Sequence, residues 1–251
     1  MLKFMSDAAV LGSIAAHEAA REARLGERFP AARVGVFAAT GLAAASVDDV
    51  LPMVEASIDG TGSISWPLLG RRGLPATNPL LSFRILANMP PCIISILECA
   101  KGPSYIFTPW EGQAGAALLE AWRAVASGEV DAALAGAADT PAHPSTHVFL
   151  RQTGVLEDGD CPASAAAYLV LERAETAERD GQPVRAGVAE MMLHRSEGRV
   201  MDPLAERLGR MFAAAPAVLL ALCAGGAAGN SGAGAIRGVD EQEFRFRLEA
   251  P

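Results

Sequence analysis

Two histidines have the spacing of a helical metal site. His143 and His147 are four residues apart, and on one helix that spacing would place both imidazoles on the same face. Pro141 and Pro144 would interrupt a helix at this point, and no third ligand stands nearby in the sequence. We therefore predict that both histidines lie in a loop and that the chain binds no metal ion.

The cysteines and glycines do not indicate a cofactor site either. No two cysteines form a CxxC pair, and no histidine follows them at zinc-finger spacing. The glycine-rich stretch 225–234 lacks the lysine of a phosphate-binding loop. We expect no cofactor, and we predict buried thiols in a reducing, cytoplasmic compartment. The cysteines are Cys92, Cys99, Cys161 and Cys223.

The composition indicates a folded, acidic protein. The chain has 251 residues, enough for one large or two small domains, and 51% of them are hydrophobic. Lysine and arginine total 21 against 29 aspartates and glutamates, and the net charge of −8 argues against a nucleic-acid partner. The uncharged stretch 211–236 is strongly apolar only over 217–223. That length is too short for a membrane span and predicts a buried strand.

Hydrophobic patterning predicts a βαβ unit in the middle of the chain. Residues 104–108 are predicted as a strand, 109–112 as a turn, 113–127 as a helix and 130–137 as a second strand. This order implies a parallel pair of strands joined by a right-handed crossover.

Helices are predicted at 6–25 and 47–58, and a further helix at 79–89 should stop before Pro90 and Pro91. The other predicted elements are a strand at 34–40, a helix or strand at 92–98, a strand at 164–173 followed by a short helix, a helix at 203–212, and strands at 217–222 and 244–248 that would extend the same sheet.

The βαβ block resembles the N-terminal half of the β-ketoacyl synthases, which have the thiolase fold. The likeness begins at Lys101-Gly102-Pro103-Ser104-Tyr105 and continues through the alanine-rich helix to Gly136. Further segments are similar to that half in the same order: 2–23, 33–41, 78–92 and 165–181.

The resemblance implies an α/β fold of the thiolase type, truncated to mainly one half. It would consist of a layered mixed sheet with helices on both faces. Residues 1–185 would form the N-terminal-like domain. Residues 186–251 would be a short remnant of the C-terminal half, packed on the same sheet.

In this family the nucleophile is a cysteine at the tip of the strand-to-helix turn, where the helix dipole lowers the pKa of a thiol. Counting from Gly102 and Pro103, that position holds Glu111 here. A fragment at 225–232 resembles the family's GHTxGxSG loop and places Gly226 where a catalytic histidine would stand. None of the histidines present lies in a matching motif: these are His17, His143, His147 and His194.

Glu111 has three interpretations. It is a carboxylate in an acyl-binding pocket, acting as a base or as a plug, or it is a helix N-terminal acid without chemistry. The resemblance adds a third: family members with Gln at this position are chain-length or decarboxylating partners, and Glu, a near isostere, would imitate the same thioester-free state. The resemblance implies a substrate pocket lined by Phe107, Trp110, Gly112 and Gln113, although Trp110 would also suit a purely packing role.

Three functions remain open. The first is a non-condensing partner of an active ketosynthase in fatty-acid or polyketide-type biosynthesis, comparable to a chain length factor. The second is an acyl-thioester acyltransferase or hydrolase that uses Glu111 as general base. The third is an interaction protein without an acyl ligand.

The family resemblance also implies the partners. A ketosynthase heterodimer or a homodimer is expected, and an acyl carrier protein is a further candidate. In this family one strand of each subunit pairs edge to edge with its equivalent. Here that strand would comprise Ser104, Tyr105, Ile106, Phe107 and Thr108.

Overall fold

The structure, a computed structural model, describes residues 2–42, 47–226 and 232–250. The strands are β1 (Val34–Thr40), β2 (Ser104–Phe107), β3 (Ala132–Asp139), β4 (Ala165–Glu172), β5 (Gly187–Arg195), β6 (Ala233–Arg237) and β7 (Gln242–Glu249). The α-helices are α1 (Asp7–Glu22), α2 (Leu25–Arg28), α3 (Val47–Glu55), α4 (Trp66–Leu68), α5 (Leu74–Ala76), α6 (Leu81–Ile85), α7 (Met89–Leu97), α8 (Glu111–Ser127), α9 (Pro144–Gln152), α10 (Ala174–Arg179), α11 (Ala205–Leu208) and α12 (Ala215–Ala224). Short 3₁₀ turns occur at Leu2–Phe4, Ala31–Arg33 and Phe212–Ala214, and a π turn at Leu69–Gly73.

The first sheet has the strand order β2-β1-β3-β4. β1 pairs in parallel with both β2 and β3, and β4 is antiparallel to β3. β1 and β3 are buried along their whole length, which explains why they are continuous apolar runs without alternation. The strands of the predicted βαβ unit are therefore parallel, but they do not pair with each other, because β1 lies between them.

Helices cover both faces of this sheet. α1 and α7 pack on one face, and α8 and α12 pack on the other. α8 and α12 are in turn covered by a second sheet, with the order β5-β7-β6. Small side chains permit this close layering: a Cβ on Gly115 of α8 would lie only 2.6 Å from Cβ of Phe244 on β7.

The tail differs from its predicted form. Residues 217–222 lie in helix α12 and not in a strand, because Pro216 starts a helix at its first turn. α12 is apolar on every side since it lies between two sheets, and such a helix has no amphipathic pattern. The predicted helix at 203–212 is reduced to α11.

The tail strands do not extend the first sheet. The predicted strand at 244–248 is part of β7, which pairs with β5 and β6 in the second sheet. Helix α12 of this segment packs on β4, and the 3₁₀ turn Phe212–Ala214 contacts β1, β3 and β4. The expected extension of the first sheet by the tail strands is therefore wrong, whereas the helical parts of the tail do pack on it.

The predicted helix at 79–89 is reduced to α6, which ends before Pro90 as expected, but prolines also lie at the start of two helices. Pro90 and Pro91 lie in the first turn of α7, and Pro144 is the first residue of α9. Proline lacks an amide hydrogen, but in the first turn of a helix this loses no hydrogen bond, because the amides there have no partner within the helix. His147 therefore lies in a helix, which corrects the predicted loop, while His143 is the residue that precedes α9.

The thiols are not buried as predicted. Cys92, Cys99 and Cys161 are exposed, and Cys223 is half-buried. Within the described ranges, no group of three or more potential ligands could hold a metal ion. No helix in the same ranges is long and apolar enough to cross a membrane.

Candidate functional site

The turn between β2 and α8 carries the candidate site. α8 begins at Glu111, two residues earlier than predicted, and ends at Gly128, which adopts a left-handed conformation with φ of 77°. Trp110 precedes the helix with φ of 76°, a conformation that L side chains rarely adopt. The chain thus turns sharply at Trp110 and places Glu111 at the positive end of a long helix.

Glu111 is completely buried, which an ordinary helix N-terminal acid is not. The backbone N–H of Val239 donates to Oε2 of Glu111 over 3.3 Å. A Cβ added to Gly238 would lie 2.7 Å from the same oxygen, so the backbone between β6 and β7 rests directly on the carboxyl. The other carboxyl oxygen, Oε1, has no hydrogen-bond partner within the described residues.

Arg210 covers the site from a second direction. Its Nη2 lies 3.7 Å from Oε1 of Glu111, and its Nη1 donates to Oδ2 of Asp160 over 3.3 Å. The guanidinium stacks over the ring of Phe212, 4.6 Å from its centroid. The backbone of Arg210 is held at Cys161, whose carbonyl accepts its N–H over 2.8 Å. Arg210 therefore has a fixed position above the start of α8.

Burial controls the ionisation of the acids here. It raises the pKa of Glu111 to about 7, against the opposing effects of its own helix N–H and of Arg210. Asp139, at the end of β3, is 3% exposed, and burial raises its pKa to about 7 as well. Burial also raises the pKa of Asp202 and of Asp240. Near neutral pH the site therefore contains carboxyls that are only partly ionised.

The structure places the predicted pocket residues close together along the turn. Gly112 is buried, and its N–H donates to Oδ1 of Asp240 over 3.3 Å. Trp110 is half-buried against Phe212, with ring centroids 5.9 Å apart. Gln113 and Phe107 are also half-buried, and Phe107 packs on the main core.

A cavity of about 50 Å³ lies nearby, at the carboxyl ends of β1 and β3. Thr40, Gly41, Asp139 and Thr140 line it, whereas Glu111 does not. The Glu111 carboxyl therefore has no opening to this cavity.

The predicted pairing strand is shorter than expected. β2 ends at Phe107, and Thr108 lies in the following turn, where its Oγ1 donates to the carbonyl of Gly41 over 3.3 Å. β2 is an edge strand of its sheet. Tyr105, near its start, is 46% exposed.

Two of the histidines have side-chain partners away from Glu111, although His143 also lines the cavity beside Asp139. His17 pairs with Glu98 at 3.0 Å on the surface, and His143 contacts Ser145. Gly226, the residue aligned with a family histidine, follows α12 and has nothing within 4 Å of its potential Cβ. Residues 227–231 of the loop-like fragment are outside the described residues.

Sequence reasoning did not find Arg210, Asp139, Asp160 or Asp240. Asp139 had a usable signal, since it is a polar residue directly after an apolar strand. Arg210 had none, because nothing in its local sequence indicates that it contacts Glu111.

A family model of the β-ketoacyl synthase N-terminal domain matches residues 1–197. The chain therefore belongs to the β-ketoacyl synthase family, as the sequence resemblance predicted. No curated protein matches the chain.

Solved ketosynthase structures share the fold. One, described as a type II PKS acyl-carrier protein in complex with its ketosynthase bound to the hexaketide, is 14% identical with a TM-score of 0.83, over 100% of this chain and 85% of that chain. The ishigamide ketosynthase/chain length factor is 17% identical with a TM-score of 0.71, over 100% and 84%. A β-ketoacyl synthase from Burkholderia phymatum STM815 is 18% identical with a TM-score of 0.61, over 89% and 54%. These likenesses confirm the thiolase-like α/β fold.

Proposed function

We propose that this protein is a non-condensing partner of an active β-ketoacyl synthase, comparable to a chain length factor in polyketide-type biosynthesis. The observation that carries the proposal is the buried Glu111 at the start of α8, where the family has its cysteine. A carboxylate cannot hold an acyl chain as the thioester that a cysteine forms. The partner would supply the nucleophile, and this chain would shape the pocket.

The packing around Glu111 supports an inactive site. Arg210 and the backbone at Gly238 and Val239 occupy the space in front of the carboxyl. An ionised Glu111 would also repel a malonyl carboxylate, by about 4 kcal/mol at 4 Å with an effective dielectric constant of 20. Both effects disfavour condensation at this position.

The edge of the first sheet supports a protein partner. β2 has β1 on one side, and no described strand covers its other side. Tyr105 on β2 and Ile96 on the adjacent helix α7 are 46% and 62% exposed. An uncovered strand edge flanked by apolar side chains is a template for pairing with another chain.

The partner would be a ketosynthase with its own cysteine and histidines, and an acyl carrier protein would deliver substrate to that ketosynthase. We further propose that residues 186–251, with the second sheet, represent a reduced C-terminal half. Their strands cover α8 and α12 and complete the layer that closes over Glu111.

Condensation by the reconstituted pair tests the proposal. The chain would be co-expressed with a β-ketoacyl synthase of the same organism that has its own cysteine and histidines, and product formation would be measured with an acyl carrier protein. We expect Glu111→Gln in this chain to leave turnover within about twofold of the unmodified pair, as should the surface variant Glu120→Gln on the same helix. Removal of the partner's cysteine should abolish turnover. A loss of turnover in the pair that carries Glu111→Gln, but not in the pair that carries Glu120→Gln, would contradict the proposal.

One observation favours a second function, a hydrolase or acyltransferase with Glu111 as general base. The pKa of about 7 for Glu111 is close to the optimum of a base at neutral pH. The isolated chain would then cleave acyl-CoA or acyl-carrier thioesters, and Glu111→Gln would abolish the reaction. Equal rates of thioester cleavage for the unmodified chain and for Glu111→Gln would exclude this role.

A further inference from the structure

The start of α8 is a meeting point of acidic side chains from separate parts of the chain. Glu111 faces Arg210, and its carboxyl also feels the charges of Asp240 and Asp139. The same Arg210 binds Asp160 and attracts Asp202. One guanidinium is therefore shared among several buried or half-buried acids.

Asp139 has further charged neighbours on its other side. It shares the 50 Å³ cavity with Asp7 at the start of α1, with Arg84 and with His143. Arg84 is itself paired with Asp49 at 2.6 Å. The guanidinium groups near Glu111 and Asp139 are thus already engaged with other acids.

These carboxyls connect the N-terminal part of the chain to the tail. Glu111 accepts the N–H of Val239, and Asp139 accepts the N–H of Ala213 over 3.1 Å. In the opposite direction, Asp240 accepts the N–H of Gly112. Each bond joins α8 or β3 to a tail segment that covers the site.

We propose that these hydrogen bonds between the tail and the α8 and β3 segments form a pH-dependent contact, which we call the clasp. The clasp is stable when Glu111 and Asp139 are protonated and weakens when both ionise. Ionisation of both groups places two like charges in buried positions, where they repel each other and lose solvation. Weakening the clasp would uncover the start of α8. This inference does not depend on the partner role proposed above.

The ionisation of the two acids gives the direction of the effect. Burial raises both pKa values to about 7, from ordinary values of 4.5 and 3.8. A raised pKa in the closed state means that the stabilisation is complete below the ordinary pKa and is lost as the pH rises toward 7. Between the ordinary and the raised pKa values, each carboxyl that loses its proton when the clasp opens changes the equilibrium constant for opening by up to about tenfold per pH unit.

Amide hydrogen exchange tests the clasp. Exchange of the Ala213 and Val239 amides would be followed at about pH 5 and about pH 7.5, corrected for intrinsic exchange rates. In the unmodified protein we expect protection of these amides to fall by at least about tenfold between the two values. Amides in the buried strand β1 serve as an internal reference for global unfolding.

Substitutions assign the effect to the two acids. Glu111→Gln and Asp139→Asn, made singly, should each reduce the pH dependence, and the double substitution should remove it. Glu120→Gln, exposed on the same helix, should keep it. If the unmodified protein protects both amides equally at the two pH values, the clasp does not exist. The same conclusion follows if both single variants retain the full pH dependence.

Discussion

Nη2 of Arg210 lies 3.7 Å from Oε1 of Glu111, and both atoms are buried without a hydrogen bond in the described structure. The contact is therefore a charge interaction and not a hydrogen bond. It joins the start of helix α8 to the tail. The same contact fills the space in front of the Glu111 carboxyl, which we propose to stand where the family has its cysteine.

Removal of Arg210 should destabilise the protein. Arg210→Met would keep the packing on Phe212 but leave Glu111 and Asp160 without their cation, and we expect a loss of roughly 2–4 kcal/mol. The loss is measured by urea denaturation at neutral pH. Arg123→Met, on the exposed face of α8, should change stability by less than about 0.5 kcal/mol.

The double variant Arg210→Met with Glu111→Gln separates the charge contact from packing. Since the neutral amide needs no counter-charge, it should recover part of the loss. An Arg210→Met protein as stable as the Arg123→Met control would show that the contact contributes nothing.

Gly115 should be required for the close packing of α8 on the second sheet. Gly115→Ala would place a Cβ 2.6 Å from Cβ of Phe244, and we expect a loss of about 1–3 kcal/mol despite the better helix propensity of alanine. Thermal and urea unfolding measure it. Gly26→Ala in α2 has nothing within 4 Å of the new Cβ and should be neutral or stabilising by up to about 1 kcal/mol. Equal effects of the two variants would refute the packing argument.

Glu243 on β7 should stabilise the second sheet at all but strongly acidic pH. Its carboxylate accepts hydrogen bonds from Arg237 and Arg245, and the bond to Arg237 is the main cause that lowers its pKa to about 2. Because that pKa is lowered, the stabilisation is present above the ordinary value of 4.5 and disappears as the pH falls toward 2.

Glu243→Gln should therefore lose about 1–3 kcal/mol near neutral pH, and the difference from the unmodified protein should shrink in acid. Denaturation series at several pH values measure the difference. Glu249→Gln, exposed at the end of the same strand, is the control. A difference that grows with falling pH would contradict the assignment.

The β2 edge should mediate association. Tyr105→Lys places a charge beside the uncovered strand, and natural edge strands use charges of this kind to prevent pairing. We expect affinity for the ketosynthase partner to fall at least about tenfold, measured by titration of labelled proteins. Val184→Lys, at an exposed loop position after α10, should leave it unchanged. Undiminished binding of Tyr105→Lys would place the interface elsewhere.

The predictable parts of the fold are those with strong local patterns. β1 and the block from β2 to β3 follow from apolar runs, tight turns and a helix that ends at Gly128. Residues 217–222 could not be assigned correctly, because a short apolar run does not distinguish a strand from a helix buried on all sides. The loop predicted around His143 and His147 is wrong at His147, because proline interrupts a helix interior but is favoured at the first position, where Pro144 lies in α9.

The site was predictable only at the family's nucleophile position. Glu111 follows from counting along the resemblance, but its burial does not. Arg210 and Asp240 meet it only through the packing of the tail on α8, and no local sequence signal encodes that contact. Glu111 could be a helix N-terminal acid without chemistry or a plug of the acyl-binding pocket. Only the tertiary structure allows these two interpretations to be compared.

Co-purification with a β-ketoacyl synthase of the same organism that has its own cysteine and histidines, followed by native mass measurement, tests the central claim most directly. The account predicts a stable complex with one copy of each chain. The complex should condense malonyl units through the partner's cysteine, and its activity should survive Glu111→Gln in this chain. Recovery of this chain only as a monomer or homodimer, with the ketosynthase equally active without it, would contradict the account.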